Sequence, residues 1–323
     1  MQSNLYVRMT IAAITVVMMA CGICTSPAIA QPATKTIRVI VPYGAGGATD
    51  FIARQLAERL SARLNRNVIV ENRPGADGVV GTATAARAAP DGSTYVMVVG
   101  THLLNPLFHD KLPYDSFKDF SGVTMIARSP VVFVARSDFP AKDIREFVQV
   151  VRKNPGKYSL GNAEKFTMLV AHQLSSEAGL DVVHAPYNGA GPMLVDVAGG
   201  SVTAAPAAIA AAASYLQSGR LRPLGVTGLE RTPVLPDVPT LKELGLGDFN
   251  LYITYSMYAP AGTPLQDRVT MQQAIKESVE TPEMKAILSK QALTPVADTV
   301  EDFEAQQKQN FSELQSLKKK LGL

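Results

Sequence analysis

The sequence predicts an α/β protein of two lobes with a ligand cleft between them. Three observations carry this expectation. Strand–loop–helix units repeat through the first third of the chain after residue 30. A second run of apolar strands and amphipathic helices begins near Val131. The C-terminal part is helical and long enough to return to the first lobe. Strand, crossover helix, strand implies parallel pairing.

The first thirty residues read as a secretory signal. Arg8 is the only charge before Lys35, Thr10 to Cys24 form an apolar run, and Ala28-Ile29-Ala30 offers a small-x-small cleavage site. The run is short for a bilayer span, so cleavage after Ala30 and export to the periplasm are expected, with lipid attachment at Cys21 the weaker alternative. Removing the first 30 of 323 residues leaves 293, takes both cysteines (Cys21 and Cys24), and lowers the net charge from +3 to +2 by the loss of Arg8. A chain without cysteine has no disulfide framework, thiol nucleophile or thiolate metal site. Near-neutral charge without a basic block argues against nucleic acid as a partner.

Thr36 to Val41 is a β-branched strand, followed by the turn Pro42-Tyr43-Gly44-Ala45-Gly46-Gly47. Ile52, Leu56, Leu60 and Leu64 then recur at helical spacing. Val68-Ile69-Val70 is the next strand, Asn72 to Gly78 a loop, Val79 to Ala89 an alanine-rich helix, and Thr94 to Val99 a third strand. Farther on, Val131 to Val134 is an apolar strand. Ile144, Phe147, Val148 and Val151 mark a helix stopped by Asn154-Pro155-Gly156. Met168 to Ala178 and Pro192 to Val197 read as helices, and Leu221 to Val226 as a strand. Glu230 to Leu246, with three prolines, is mostly loop. Helices are expected over Pro264–Glu280 and Pro282–Lys290, and from Thr299, with Asp302 three residues on as a capping box. Lys318-Lys319-Lys320 at the end of the last one suit the negative end of a helix dipole or an ordinary solvated face. The expected division is 31–128 with 258–323 as one lobe and 129–257 as the other. The crossings are placed near Met125–Arg128 and Thr254–Tyr258.

Two junctions could hold a ligand: Tyr43 to Asp50 and Asn72 to Thr82. Each sets glycines where a strand ends and a helix begins, at the carboxyl edge of a parallel sheet. Helix N-termini leave N–H groups unpaired beside a positive dipole end, and glycine lets an oxygen approach the backbone closely. A carboxylate is the natural guest. Tight turns in an ordinary sheet are the alternative reading of the same glycines.

Other chemistries fit poorly. Gly44-Ala45-Gly46-Gly47-Ala48-Thr49 has threonine where G-x-G-x-x-G has its third glycine, and the Walker lysine is missing. There is no G-x-S-x-G elbow and no H-E-x-x-H, and His102, His109, His172 and His184 are not spaced as a metal set. Asp50 reads as a first-turn cap and Asp77 as a loop organiser. No cofactor, metal or catalytic residue is expected.

These residues resemble a known family, the periplasmic substrate-binding subunits of tripartite tricarboxylate transporters, also called Bug-type receptors. The likeness runs from about Thr36 to the C-terminus. Val41 to Asp50 resembles the family's first loop, with Ala45 where proline is usual, and Glu71 to Gly78 its second. Asn105-Pro106, Leu112-Pro113-Tyr114-Asp115, Asp119-Phe120, Pro186 to Gly189, Gly199-Gly200, Leu235 to Thr240 and Ala259 to Pro264 follow in order. The resemblance implies a type II-like periplasmic-binding-protein fold, two loops that hold a ligand carboxylate partly through ordered water, and a two-part membrane permease as partner. It places the ligand contacts at Tyr43, Gly46, Gly47, Ala48, Thr49, Ala76, Asp77, Gly78 and Thr101, and across the cleft at Asn162, Ala163, Lys165, Phe166, Tyr187 and Ala207.

The departures bear on the ligand. Met168 stands near a usual histidine, Ala207 at a position where many members carry an aspartate, and Thr254 near a usual tryptophan; the chain has no tryptophan. Without the aspartate, an amino-acid ligand would bury an unpaired cation at a cost. The expectation is therefore a non-amino carboxylate with an apolar body, an aromatic one included, bound by a monomer. Phe166 or Tyr187 could stack on a ring, with core packing the alternative for Phe166. Lys165 is a candidate partner for a second, distal carboxylate, against the ordinary reading of a solvated loop lysine. A ligand sensor and a periplasmic hydrolase are the competing functions.

Overall fold

The computed structural model describes residues 35–323, so the signal segment, its cleavage site and Cys21 lie outside the described residues. Three strands open the fold: β1 (Ile37–Val41), β2 (Val68–Asn72) and β3 (Thr94–Val99). β1 pairs parallel with both of the others, as the strand–helix–strand pattern predicts. Between them lie α1 (Ala48–Leu64) and α2 (Val79–Ala86); α3 (Thr101–Phe108) follows β3. Side chains of β1 alternate across the sheet. Ile37, Val39 and Val41 meet Ile52, Leu56 and Leu60 of α1, while Ile40 faces the opposite cluster with Val96, Val98, Ala83 and Phe303.

β4 (Phe120–Arg136) is the long element that the sequence only half reveals. Its apolar end, Val131 to Val134, is legible; the first eleven residues carry glycine, serine, threonine and arginine and show no strand pattern. Up to Pro130 it pairs antiparallel with β9 (Tyr252–Pro260), whose other edge joins β3. From Val131 onward it pairs with β7 (Ala204–Ala208) and β8 (Leu221–Val226). β5 (Ser159–Asn162) adds parallel to β7, and β6 (Val183–Pro186) to β5. The order among the described residues is β2-β1-β3-β9-β4-β7-β5-β6, with β8 and β10 (Thr294–Pro295) also on β4. The partner exchange at Pro130/Val131 comes a few residues after the expected crossing. Buried Thr227 braces it: its hydroxyl accepts from the Val131 N–H at 2.8 Å and donates to the Leu251 carbonyl at 2.6 Å.

Around the far half pack α4 (Ile144–Arg152), α5 (Lys165–Ala178), α6 (Ala190–Gly199) and α7 (Ile209–Gln217). α4 buries Ile144, Phe147, Val148 and Val151, the stripe the spacing predicts, each worth about 1.5–3 kcal/mol of burial. Asp143 caps it by accepting the Glu146 N–H at 2.8 Å. α5 begins three residues before the expected Met168, because the Thr167 hydroxyl accepts the Glu164 N–H at 3.1 Å and organises an earlier first turn. α7 was hidden in the alanine-rich stretch Ala204 to Ala213, where composition does not separate strand from helix. The C-terminal helices α8 (Leu265–Val279), α9 (Pro282–Lys290) and α10 (Val300–Leu321) agree with expectation, and Thr299 caps α10 by accepting the Asp302 N–H at 3.1 Å.

Candidate functional site

The first glycine loop leaves β1 and enters α1. Gly46 sits at φ 84, while Gly47 caps the helix in extended conformation with no side-chain cap. The first-turn amides of α1 therefore have no intrahelical partners and face outward at a positive dipole end. Beneath them Asp50 is 4% exposed. Its carboxylate accepts from Arg54 Nε at 3.0 Å, the Gly46 N–H at 2.9 Å and Asn72 Nδ2 at 2.9 Å. The Arg54 hydrogen bond above all, then the Gly46 and Asn72 bonds, outweigh burial and hold the Asp50 carboxyl down to about 2. Asp50 is thus a staple rather than a helix cap: it fixes the loop from inside and ties it, through Asn72, to the end of β2. The Gly46 amide is used in that staple, which leaves Gly47, Ala48 and Thr49 as the amides of this loop without an intrahelical partner.

The second loop is built otherwise. Gly75, Ala76, Asp77 and Gly78 all have positive φ, and Ala76–Gly78 form a single 3₁₀ turn before α2. Ala76 at φ 47 and Asp77 at φ 52 are left-handed, which costs a residue with a Cβ about 1–2 kcal/mol. The Gly78 N–H closes the turn on the Gly75 carbonyl at 3.1 Å. Buried Asn105 of α3 donates from Nδ2 to the Asp77 carbonyl at 3.3 Å and steadies it from below. A Cβ on Gly78 would lie 3.0 Å from the Tyr43 ring, so the two loops pack against each other through that ring. The Tyr43 hydroxyl accepts the Val99 N–H at 3.2 Å and bonds Thr101 Oγ1 at 2.7 Å. Burial pushes the Tyr43 phenol up to about 12, so it remains protonated.

Lys165, at the first turn of α5, reaches this group from the other half of the sheet. Its Nζ lies 2.6 Å from His109 Nε2 and 3.3 Å from Asp77 Oδ2, and its side chain is only 22% exposed. It is not the solvated loop lysine of the ordinary reading. Asn162 is buried and its carbonyl accepts the Tyr187 N–H at 2.8 Å; the Ala163 N–H donates to Thr167 Oγ1 at 3.2 Å.

Of three expected contacts, Ala207 is turned into the protein, while Phe166 and Tyr187 are partly covered by it. Ala207 is 1% exposed, opposite Val132 in β4, within the cluster of Val132, Val134, Met193 and Leu194. β7 is an interior strand with both faces covered, so its alternate residues point into one core or the other. Phe166 packs against the cluster of Phe133, Phe147 and Leu174. Tyr187 borders the Val132 cluster and donates its hydroxyl to Asp196 Oδ2 at 2.6 Å, a bond that, ahead of its other influences, pushes its phenol up to about 12. Conversely, sequence reasoning assigned no role to His109, Asn105 or Arg54. Arg54 had a readable signal in its i,i+4 spacing from Asp50, and Asn105 stands in the Asn105-Pro106 likeness.

Two cavities of about 340 and 210 Å³ adjoin α3 and α10, the larger one lined by His109, Tyr114, Phe117 and Phe311 among others. Neither includes a glycine-loop residue. No group of three or more potential metal ligands occurs among the described residues, and none of the described helices is long and apolar enough to cross a membrane.

A mixed sheet whose halves share long strands, carry helices on both faces and bring strand–helix loops together at one place defines a two-lobe periplasmic binding protein. Within that class the chain belongs to the Tripartite tricarboxylate transporter family receptor (TctC) family, which residues 52–323 match. It is 30% identical over 276 residues to the protein BugT of Bordetella pertussis, covering 82% of each chain. A Rhodopseudomonas palustris protein solved with adipate superposes at TM-score 0.79 with 25% identity, covering 90% of this chain and 98% of that one. MatC of the same organism, with bound malate, gives 0.73 with 28% identity over 87% and 98%. The protein is therefore a periplasmic solute-binding receptor of this family.

Proposed function

We propose that the protein captures a small carboxylate between two lobes, formed by residues 31–128 with 258–323 and by 129–257, and passes it unchanged to a two-part membrane permease. In this reading the protein is an exported monomer, cleaved after Ala30. The observation that carries the proposal is the pairing of the two loops: the uncapped amides of Gly47, Ala48 and Thr49 stand beside the turn of Ala76 and Asp77, held there by the Asp50–Asn72 staple and the Tyr43 ring. A carboxylate satisfies such amides without a cationic side chain. The adipate and malate held by its relatives are ligands of this kind. An aromatic ligand gains no support from Phe166 or Tyr187, which pack on or bond to the protein itself. Closure about β4 and β9 would select ligands that touch both lobes.

The test is a thermal-shift and calorimetric screen of aliphatic and aromatic carboxylates, with methyl esters as neutral controls. A cognate acid at one hundred times its Kd should add about 2.7 kcal/mol of stability, bind one to one and be recovered intact; its ester should do neither. Binding of esters as tight as that of acids, or release of product over many turnovers, overturns the proposal.

A further inference from the structure

The helix α5 of the far half meets the first half of the fold at both of its ends. At its N-terminal turn, Lys165 bonds His109 at the end of α3. Near its other end, about 18 Å along the helix axis, Glu177 accepts from Lys320 Nζ at 2.6 Å. Lys320 lies in the last turn of α10, and α10 packs on both α3 and α5. The run Lys318-Lys319-Lys320 is therefore more than a solvated face. Lys318 Nζ donates to the Leu107 carbonyl and lies 4.7 Å from the centre of the Phe108 ring. That is the C-terminal end of α3, where free carbonyls and a negative dipole end attract a cation. Lys319, between them, is exposed and has no ion-pair partner among the described residues. The two halves of α10 are held differently. Phe303 is fully buried and Gln307 accepts from the Tyr258 hydroxyl at 2.8 Å, so the first half belongs to the core beside β9. Phe311, Leu314, Leu317 and Leu321 recur on one face of the second half but are only partly buried. Phe311 also borders the cavity of about 340 Å³. The outer half of α10 thus reaches across α3 to α5 over ground that is not tightly packed.

We infer that the last turn of α10 is an electrostatic clasp between the lobes: Lys318 anchors it to α3 in its own lobe, and Lys320 engages Glu177 only when the other lobe has swung in. This rests on the division into lobes proposed above and adds to it a contact away from the hinge strands β4 and β9. A bond made only in the closed form favours that form, and so tightens any ligand held between the lobes without touching it. Lys320 and Glu177 are thus positioning residues for binding. Their side chains are 58% and 32% exposed, so water and salt weaken the pair. An exposed pair of this kind changes the closed-to-open ratio by up to about fivefold. That is enough to set how far the empty receptor stays open, and too little to hold it shut.

Residues 31–323 contain no cysteine, so spin labels on Glu58→Cys in α1 and Lys153→Cys after α4, both exposed positions, report the separation of the lobes. Without ligand, Lys320→Met should lower the closed-to-open ratio by up to about fivefold. Lys320→Glu and Glu177→Lys should each lower it further, since like charges then face each other. The double reversal, Lys320→Glu with Glu177→Lys, should return it to within about twofold of wild type, which a purely structural role would not do. Lys319→Glu should leave it unchanged, and about 0.5 M salt should erase the difference between wild type and Lys320→Met. Calorimetry with malate and with adipate should rank the affinities in the same order. Equal distances in wild type and Lys320→Glu, or a double reversal as open as either single one, would overturn the clasp. If no acid narrows the distance in the wild type, the carboxylate reading fails, while the clasp is still decided by the distances without ligand.

Discussion

The loop after β1 reaches its helix with one positive-φ residue, Gly46, whereas the loop after β2 needs four in succession, Gly75 to Gly78. The first loop is relaxed in backbone and fixed by charge: a buried carboxylate gathers an amide, an asparagine and an arginine from three directions. The second carries strain at Ala76 and Asp77 and is fixed by packing, through Tyr43 against Gly78, and by one carboxamide, Asn105. Two loops with similar glycine content thus present amides by different means. One can be undone by removing a charge, the other by removing support beneath it. Backbone strain of this kind, held in place by its surroundings, is a recurrent feature of ligand sites.

The largest effect should come from filling the first loop without disturbing it. Gly47 lies at φ −74, and a Cβ there would meet only the Gly44 carbonyl, at 3.6 Å. Gly47→Val should therefore fold, at a cost of about 1 kcal/mol or less for the poorer helix cap, while its side chain covers the outward amides. Calorimetry should show carboxylate affinity lowered about a hundredfold or more, near 2.7 kcal/mol, with the melting temperature close to wild type. Unchanged affinity would remove this loop from the site. The same experiment at Gly78 is less clean, since φ 88 and the Tyr43 ring at 3.0 Å oppose any side chain there.

A smaller effect separates the charge-held loop from the packed one. Asp50 has its carboxyl depressed from 3.8 to about 2 in the folded chain. A depressed carboxyl binds fewer protons folded than unfolded, so it contributes stability above about pH 4, and that contribution is lost as pH falls towards 2. The shift corresponds to about 2.4 kcal/mol at most, reduced by screening because Arg54 is 53% exposed. Asp50→Asn should cost about 1–2 kcal/mol at pH 7 in urea denaturation, and its deficit should shrink between pH 4 and pH 2. A deficit that is the same at pH 2.5 as at pH 7 would mean that the staple acts by shape rather than charge.

The two loops also show what the sequence could and could not disclose. Glycines between a β-branched strand and a periodic helix located both loops, because backbone freedom and side-chain spacing are local properties. The parallel pairing of β1, β2 and β3 followed from the same pattern. Asp50 was visible as an acid in a first turn, but its contact with Asn72 spans 22 residues and depends on the sheet register that sets β2 beside β1. The Lys165–His109 pair spans 56 residues and two halves of the fold, so no spacing rule reaches it. The burial of Ala207 was hidden for a different reason. Matching a motif placed it near the site, but strand alternation, which a run of alanines conceals, turned it into the core. β4 was half missed because its first part draws its stability from long-range pairing with β9 rather than from apolar content.

The smallest effect concerns the strain itself. Ala76 is exposed and left-handed, so its methyl group makes little of its burial and opposes its backbone. Ala76→Gly removes about 1–2 kcal/mol of steric cost and adds about 0.5–1 kcal/mol of unfolded-state entropy. The balance should favour glycine by up to about 1 kcal/mol, a rise of roughly 2–4 °C in melting temperature for a chain of this size. Affinity should fall slightly at the same time, because a glycine there lets the turn sample conformations in which the Asp77 amide no longer faces the ligand. A variant that is both more stable and weaker in binding would show that the second loop trades stability for a fixed amide direction. A variant less stable than wild type would mean that the Ala76 methyl group is itself a support, and that the second loop, like the first, is held by contact rather than kept under strain.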